Sequence, residues 1–301
     1  MDKIHMDQPK SIFLMSLTII LMLLACLFNC IIKSKANEVN YKEYNQAEIL
    51  QSVENIKNRY KESSAFQEAI TKINNFSSIE EVENEIATIK DQIRKELIIE
   101  LSDITQESYE KIEKKITNKR AYIKQLLQKT PYFHSHNLQI PSSMYLDLFE
   151  AMLEENISPY KINIDYKPLK KGSKLLAEAN AFTLDITIYE NLCSYNKNVQ
   201  LFVYKHEIAH ILLAHSFNNI DIIDNHLNKE KKSLYDLILK KLRSIEEREA
   251  NIDAASKNSR TTYGGVRFQC FDGHVKILDN NEHCKEMILM YELMKRKEEL
   301  S

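Results

Sequence analysis

Tryptophan is absent from this sequence, and its 301 residues include only 4 glycines and 5 prolines. Tight-turned sheets use glycine and proline heavily at their turns, so helix is expected to dominate over sheet. Cysteines number 5, an odd count that argues against a disulfide scaffold and leaves room for one pair in an oxidising compartment. Cys26 and Cys30 lie in an apolar N-terminal run, and Cys193, Cys270 and Cys284 lack zinc-finger spacing. No charge sign prevails: 41 Lys and Arg face 43 Asp and Glu, for a net charge of −2. That balance gives no general case for nucleic acid or acidic substrates as partners. What is present is 44% hydrophobic and 28% charged residues, the mixture of a folded body rather than a disordered chain. The length suits one sizeable domain with extensions, or two domains.

One long hydrophobic run stands out. Residues 11–32 carry no charge, with Lys10 before them and Lys33 and Lys35 after. As a helix such a run reaches roughly 33 Å, enough to cross the hydrocarbon core of a bilayer. Leu23-Leu24-Ala25-Cys26 loosely resembles a bacterial lipoprotein cleavage site, but the apolar run continues past Cys26. An uncleaved single-pass anchor is the favoured expectation, and a lipoprotein the alternative. A short tail before a first span usually stays in the cytoplasm, which places the bulk of the chain on the extracytoplasmic side.

Residues 36–130 are polar and helical in pattern, with stripes such as Val82, Ile86, Ile89 and Ile93 stepping by three and four. Two or three amphipathic helices are expected there, with Ser78 or Asp103 as caps, forming a spacer or docking region between the membrane and the rest of the chain. Lys111 to Arg120 is basic and reads as a solvated face. Thr130-Pro131 marks the boundary, and 131–301 is expected to form the second domain. Met144 to Leu153 reads as a helix, with Pro159 beyond it. Tyr160 to Tyr166 alternates as a strand, and Leu184, Ile186 and Ile188 alternate as another. Tyr263 to Phe268 reads as a turn leading to a strand, and a last helix carries Met287, Ile288, Tyr291 and Met294.

The organising stretch is Lys205 to His215, which contains His206-Glu207-Ile208-Ala209-His210. Residues four apart share a helix face, so the two imidazoles can meet one metal ion. Leu201, Tyr204, Ile208 and Leu212 support a helix, uninterrupted by Gly or Pro from 198 to 215. Zinc held by three protein ligands keeps a fourth position for water and makes that water acidic near neutral pH. Glu207 beside it suits a general acid/base. A third ligand is expected on a helix from Ser233 to about Ser256. Glu249 lies on its apolar stripe between Ile245 and Ile252, whereas Glu247 shares a face with the small Ala250 and Ala254, and the pattern leaves both open. His215, His274 and His283 read as ordinary histidines; His215, five residues beyond His210, falls on a different face.

Three pieces in this order, Asn180-Ala181-Phe182, His206-Glu207-x-x-His210 and Glu247-x-x-Ala250, resemble the HtpX-like and CAAX-prenyl-protease-type zinc metallopeptidases of the gluzincin group. The resemblance covers about residues 135–290. It implies an α+β, predominantly helical, zincin-like domain with a small sheet, one Zn2+ per chain bound by His206, His210 and Glu247, and Glu207 as the catalytic residue. It also implies that Ala181 to Tyr189 is an edge strand that pairs with substrate. The family's acidic residue after the Ala is Asn251 here, with Asp253 as a compensating support for a ligand histidine, and His283 matches a family histidine near the C-terminus. Glu247-Arg248-Glu249-Ala250-Asn251 also resembles the ImmA/IrrE peptidases, cytosolic regulators with a related core. The expected function is a membrane-anchored zinc endopeptidase acting on protein or peptide substrates. The alternatives are an ImmA-like regulator-cleaving peptidase and a membrane-tethered adaptor with a structural or vestigial zinc site.

Overall fold

In the computed structural model, residues 46–129, 141–168, 175–217, 232–270 and 280–301 are described. The apolar run at 11–32, the boundary at 130–131 and His274 lie outside them. Among the described residues no helix is long and apolar enough to cross a membrane. The architecture is α+β and predominantly helical. Its helices are α1 (Gln46–Arg59), α2 (Ser64–Asn74), α3 (Ile79–Thr105), α4 (Tyr109–Lys129), α5 (Ser142–Glu154), α6 (Lys197–Leu212), α7 (Lys232–Ala255), α8 (Ser259–Cys270) and α9 (Asn280–Leu300). The strands are β1 (Asn163–Lys167), β2 (Ala177–Asn180) and β3 (Asp185–Tyr189).

Residues 46–129 form four helices, more than the two or three expected, and the expected stripes bury apart from Ile89, which is half-buried. Val82, Ile86, Ile93, Leu97 and Leu101 line the inner face of α3, and Ile112, Ile116, Ile123 and Leu127 that of α4. Ser78 caps α3 through a full capping box: its side chain accepts from the Glu81 N–H, and Glu81 accepts from the Ser78 N–H. Asp103, by contrast, lies inside α3, which runs to Thr105 and stops where Gln106 turns left-handed at φ 56°. The buried residues of α1 to α4 join those of α5 to α9 in one continuous core. Helix α3 packs on α7 and α9, α2 on α9, and α4 on α6.

Helix α6, which carries His206 and His210, sits at the centre, between α8, α7, α5 and the sheet. Toward α8, Gly264 and Gly265 bring backbone close to α6 where other residues would carry side chains. A Cβ on Gly264 would meet the Asn198 carbonyl oxygen at 2.0 Å, and one on Gly265 would meet Met287 and Phe202 at 2.4 and 2.6 Å. This corrects the turn-and-strand expectation for Tyr263 to Phe268. The glycine pair sits inside a helix, where it permits close helix contact instead of a turn.

The sheet has the order β1-β3-β2, with β1 parallel and β2 antiparallel to β3. Strand β3 is therefore central, which corrects the expectation that Ala181 to Tyr189 is an edge; the edge beside α6 is β2. Asn180-Ala181-Phe182 makes the connection. The Asn180 side chain accepts from the Phe182 N–H at 2.9 Å, and the Ala181 N–H donates to Ser216 Oγ at 3.2 Å. The turn closes on Leu184 at φ 54°. The first strand starts at Asn163, later than the Tyr160 expected, because Pro159–Lys161 forms a 3-10 turn. Cys270 at the end of α8 and Cys284 in α9 form a disulfide.

Candidate metal centre

Helix α6 begins at Asn196, whose side chain accepts from the Val199 N–H, and its middle is buried on nearly every side. That burial presents His206 and His210 to α7 as fixed groups. Their Nε2 atoms lie 2.9 Å apart. From α7, Glu247 Oε2 lies 3.1 Å from His206 Nε2, and Oε1 lies 3.5 Å from His210 Nε2. Four-coordinate zinc with bonds of about 2.0–2.1 Å sets its donors about 3.3 Å apart, so the spacing of these three atoms fits the edges of one tetrahedron. The donor set, two imidazoles and one carboxylate, suits zinc. Ala250 and Ala254, both fully buried, let α7 approach α6 closely enough for Glu247 to reach.

The surroundings make the trio electrostatically ready for a cation. Desolvation pushes the Glu247 carboxyl up, but His210 and His206 outweigh it and hold the carboxyl well below its usual range. Desolvation holds His210 well below the usual imidazole value, so it is neutral and has a lone pair to offer. The Glu247 side chain remains 39% exposed against 9% for His206, so the trio opens to solvent on the α7 side. Glu207 is buried, and desolvation pushes its carboxyl up to about 7, with His206 opposing and Glu247 and Glu178 adding to the rise. Strand β2, which carries Glu178, packs against α6.

Glu249, the competing third ligand, points elsewhere. Its carboxylate receives His215 Nε2 at 3.0 Å and Arg120 at 2.7 Å on both oxygens. His215 in turn sets its Nδ1 2.8 Å from His210 Nδ1. His215 is thus 3% exposed and part of the site, not an ordinary histidine. The helix does not continue through it: Ala214 takes φ 60°, and the chain doubles back. Arg120 corrects the solvated-face reading of the basic segment at its last residue. It also donates Nε to the Leu213 carbonyl. No motif marked Arg120; only its place in the basic end of an amphipathic stripe was visible.

No family model, no curated protein and no solved structure matches the chain. Asp253 is turned to Lys90 at 2.8 Å and Lys257 at 3.6 Å, so it does not replace the missing acid behind a ligand histidine. Desolvation lowers the His206 imidazole, but Glu247 outweighs it and holds it above its usual value, with Asn251 adding least; among the described residues, buried His206 Nδ1 makes no hydrogen bond. The Asn251 amide is instead held by Gln269, which donates to its oxygen at 3.1 Å, and its nitrogen faces His283 Nδ1 at 3.4 Å. His283 is buried, with Nε2 3.3 Å from Ser244 Oγ. Its contacts place it behind Asn251 as a packing partner, not among the groups gathered at the trio. A cavity of about 690 Å³ lies against the outer side of Arg120, Lys124 and Lys257; none of the trio lines it.

Proposed function

We propose that this chain is a zinc-dependent endopeptidase, of the kind its motifs resemble. The observation that carries the reading is the convergence of His206, His210 and Glu247 to within 4.8 Å of one another, open on one side. His206, His210 and Glu247 would hold the ion. Bound zinc would supply a Lewis acid for the scissile carbonyl and lower the pKa of water to about 7. Glu207 accepts the proton of the attacking water and returns it to the leaving amine. Its raised carboxyl suits both duties near neutral pH. The β2 edge, packed against α6, suits an extended peptide, because a strand edge offers the backbone donors and acceptors that such a substrate needs.

The proposed setting is membrane-anchored through residues 11–32, with the catalytic body outside the cytoplasm. The Cys270–Cys284 disulfide supports that side over the cytosolic, ImmA-like alternative, since disulfides persist in oxidising compartments. A second reading, a structural zinc site in a tethered adaptor, draws support from His206 Nδ1, which has no acidic partner among the described residues of the kind that usually backs a ligand imidazole.

The test is Glu207→Gln in the full chain. Metal content should stay at one per chain, while cleavage of an unfolded protein falls by about 10²–10⁴-fold. Undiminished cleavage would remove Glu207 from the chemistry. If chelation unfolds a wild-type chain that never cleaves anything, the adaptor reading wins.

A further inference from the structure

His210, His215, Glu249 and Arg120 form a chain in which the protons have one consistent arrangement. With His210 Nε2 offered to a metal, the neutral ring carries its proton on Nδ1 and donates it across 2.8 Å to His215 Nδ1. His215 then carries its own proton on Nε2 and donates it across 3.0 Å to Glu249 Oε2. Glu249 has only acceptors, and Arg120 fills them at 2.7 Å. Read from the other end, the carboxylate demands a donor from His215, and a neutral His215 then offers Nδ1 as an acceptor. That in turn demands Nδ1–H on His210 and leaves its Nε2 lone pair free.

We propose that His215, Glu249 and Arg120 are positioning residues for the metal ligand His210, so that helix α4 is a working part of the metal centre. The proposal rests on the metal reading above. Two further observations point the same way. Ala214, a non-glycine residue held at φ 60°, is what lets His215 fold back under His210; left-handed backbone in such residues concentrates at functional sites. Helix α4 also grips the same corner at Phe217, where Lys119 Nζ lies 4.8 Å over the ring and Tyr122 meets its edge, while Phe217 stacks on Phe182 at 3.9 Å. The turn before β3, the end of α6 and the second ligand are thus fastened to one helix. Fold stability alone does not require this chemistry, because buried ion pairs are commonly replaced by apolar side chains without loss.

That last point supplies the test. In the full chain, Arg120→Met with Glu249→Leu removes both buried charges together, and His215→Leu removes the imidazole. His215→Gln retains one acceptor and one donor. Zn2+ affinity is measured by competition with a chromophoric chelator, Co2+ geometry by its visible d–d bands, and folding by thermal melts. The double variant should melt near wild type yet bind Zn2+ about 10–100-fold more weakly, as should His215→Leu, with altered Co2+ bands. His215→Gln should recover most of the affinity. Wild-type affinity and wild-type Co2+ bands in the double variant and in His215→Leu would overturn the proposal and leave the metal site standing. A wild-type chain that binds neither ion would overturn both. Where a variant fails to fold, ¹⁵N NMR of the histidines in the Zn2+-loaded wild type decides: His215 protonated on Nε2 supports the chain, and His215 protonated on Nδ1 overturns it.

Discussion

His210 and His215 face each other Nδ1 to Nδ1 at 2.8 Å because Ala214, one residue before His215, adopts φ 60°. An α-helix continuing through residue 214 would carry His215 to another face. Left-handed backbone costs an L-residue about 1–2 kcal/mol, and glycine adopts it without that cost. Glycine's extra freedom in the unfolded chain returns about 0.4–1 kcal/mol of the gain. Ala214→Gly should therefore stabilise the fold by up to about 1 kcal/mol and leave Zn2+ affinity unchanged. Ala214→Val, β-branched at the same angle, should lower both. Thermal melts and metal titrations check this; a Gly variant less stable than wild type would show that Ala214 is not strained.

The same residue explains why part of the site was legible in the sequence and part was not. His206 and His210 follow from helical spacing, and the small Ala250 and Ala254 mark the face of α7 that reaches them. Those are local patterns. His215 depends on a single backbone angle at Ala214, and Arg120 acts from 129 residues away in sequence. Neither a chain reversal by a non-glycine residue nor a long-range pairing leaves a periodic trace. The helical stripes of α3 and α4 were readable because burial follows a repeat. The strand order was not, because a central and an edge strand of five residues carry similar alternation.

Gly264 and Gly265 show the limit from the other direction, since a glycine pair ordinarily signals a turn. Here Gly264 is the point where α8 meets the first turn of α6, with the Asn198 carbonyl 2.0 Å from where a Cβ would stand. Backbone cannot step aside as a flexible side chain can. Gly264→Ala should destabilise the protein by about 1–3 kcal/mol or more. The displaced α6 should also bind Zn2+ more weakly. Gly265→Ala presses on Met287 and Phe202 side chains instead and should cost less. A Gly264→Ala chain as stable as wild type would show that the helices are not in close contact there.

Lys205, next to the first ligand, is 1% exposed and pairs with Glu154, which is 42% exposed. The two ends of this pair should respond differently to mutation. Glu154→Gln leaves a buried ammonium with its charge uncompensated and should cost about 3–5 kcal/mol. Lys205→Met removes the buried charge and leaves a carboxylate that water can reach, so its cost should be near zero. Urea denaturation of the two variants checks the asymmetry; equal losses would place the burial on the wrong partner.

Acid stability offers a check on the buried Glu249 anchor. Desolvation raises this carboxyl, but the His215 hydrogen bond and the Arg120 charge outweigh it and bring it down to about 2, from an ordinary 4.5. A carboxyl depressed in the folded state binds protons more readily in the unfolded chain. Its stabilisation is therefore complete above about pH 4.5 and is lost as pH falls toward about 2. The shift corresponds to about 3 kcal/mol at most. In Arg120→Met with Glu249→Leu this contribution is gone. Denaturation free energies of wild type and double variant, close at pH 6 because apolar packing replaces the ion pair, should separate as pH falls to about 2, with the wild type losing roughly that amount more. Parallel curves across the whole range would mean that Glu249 is not held by Arg120 and His215 in solution, and the anchor of helix α4 on the metal centre would be lost with it.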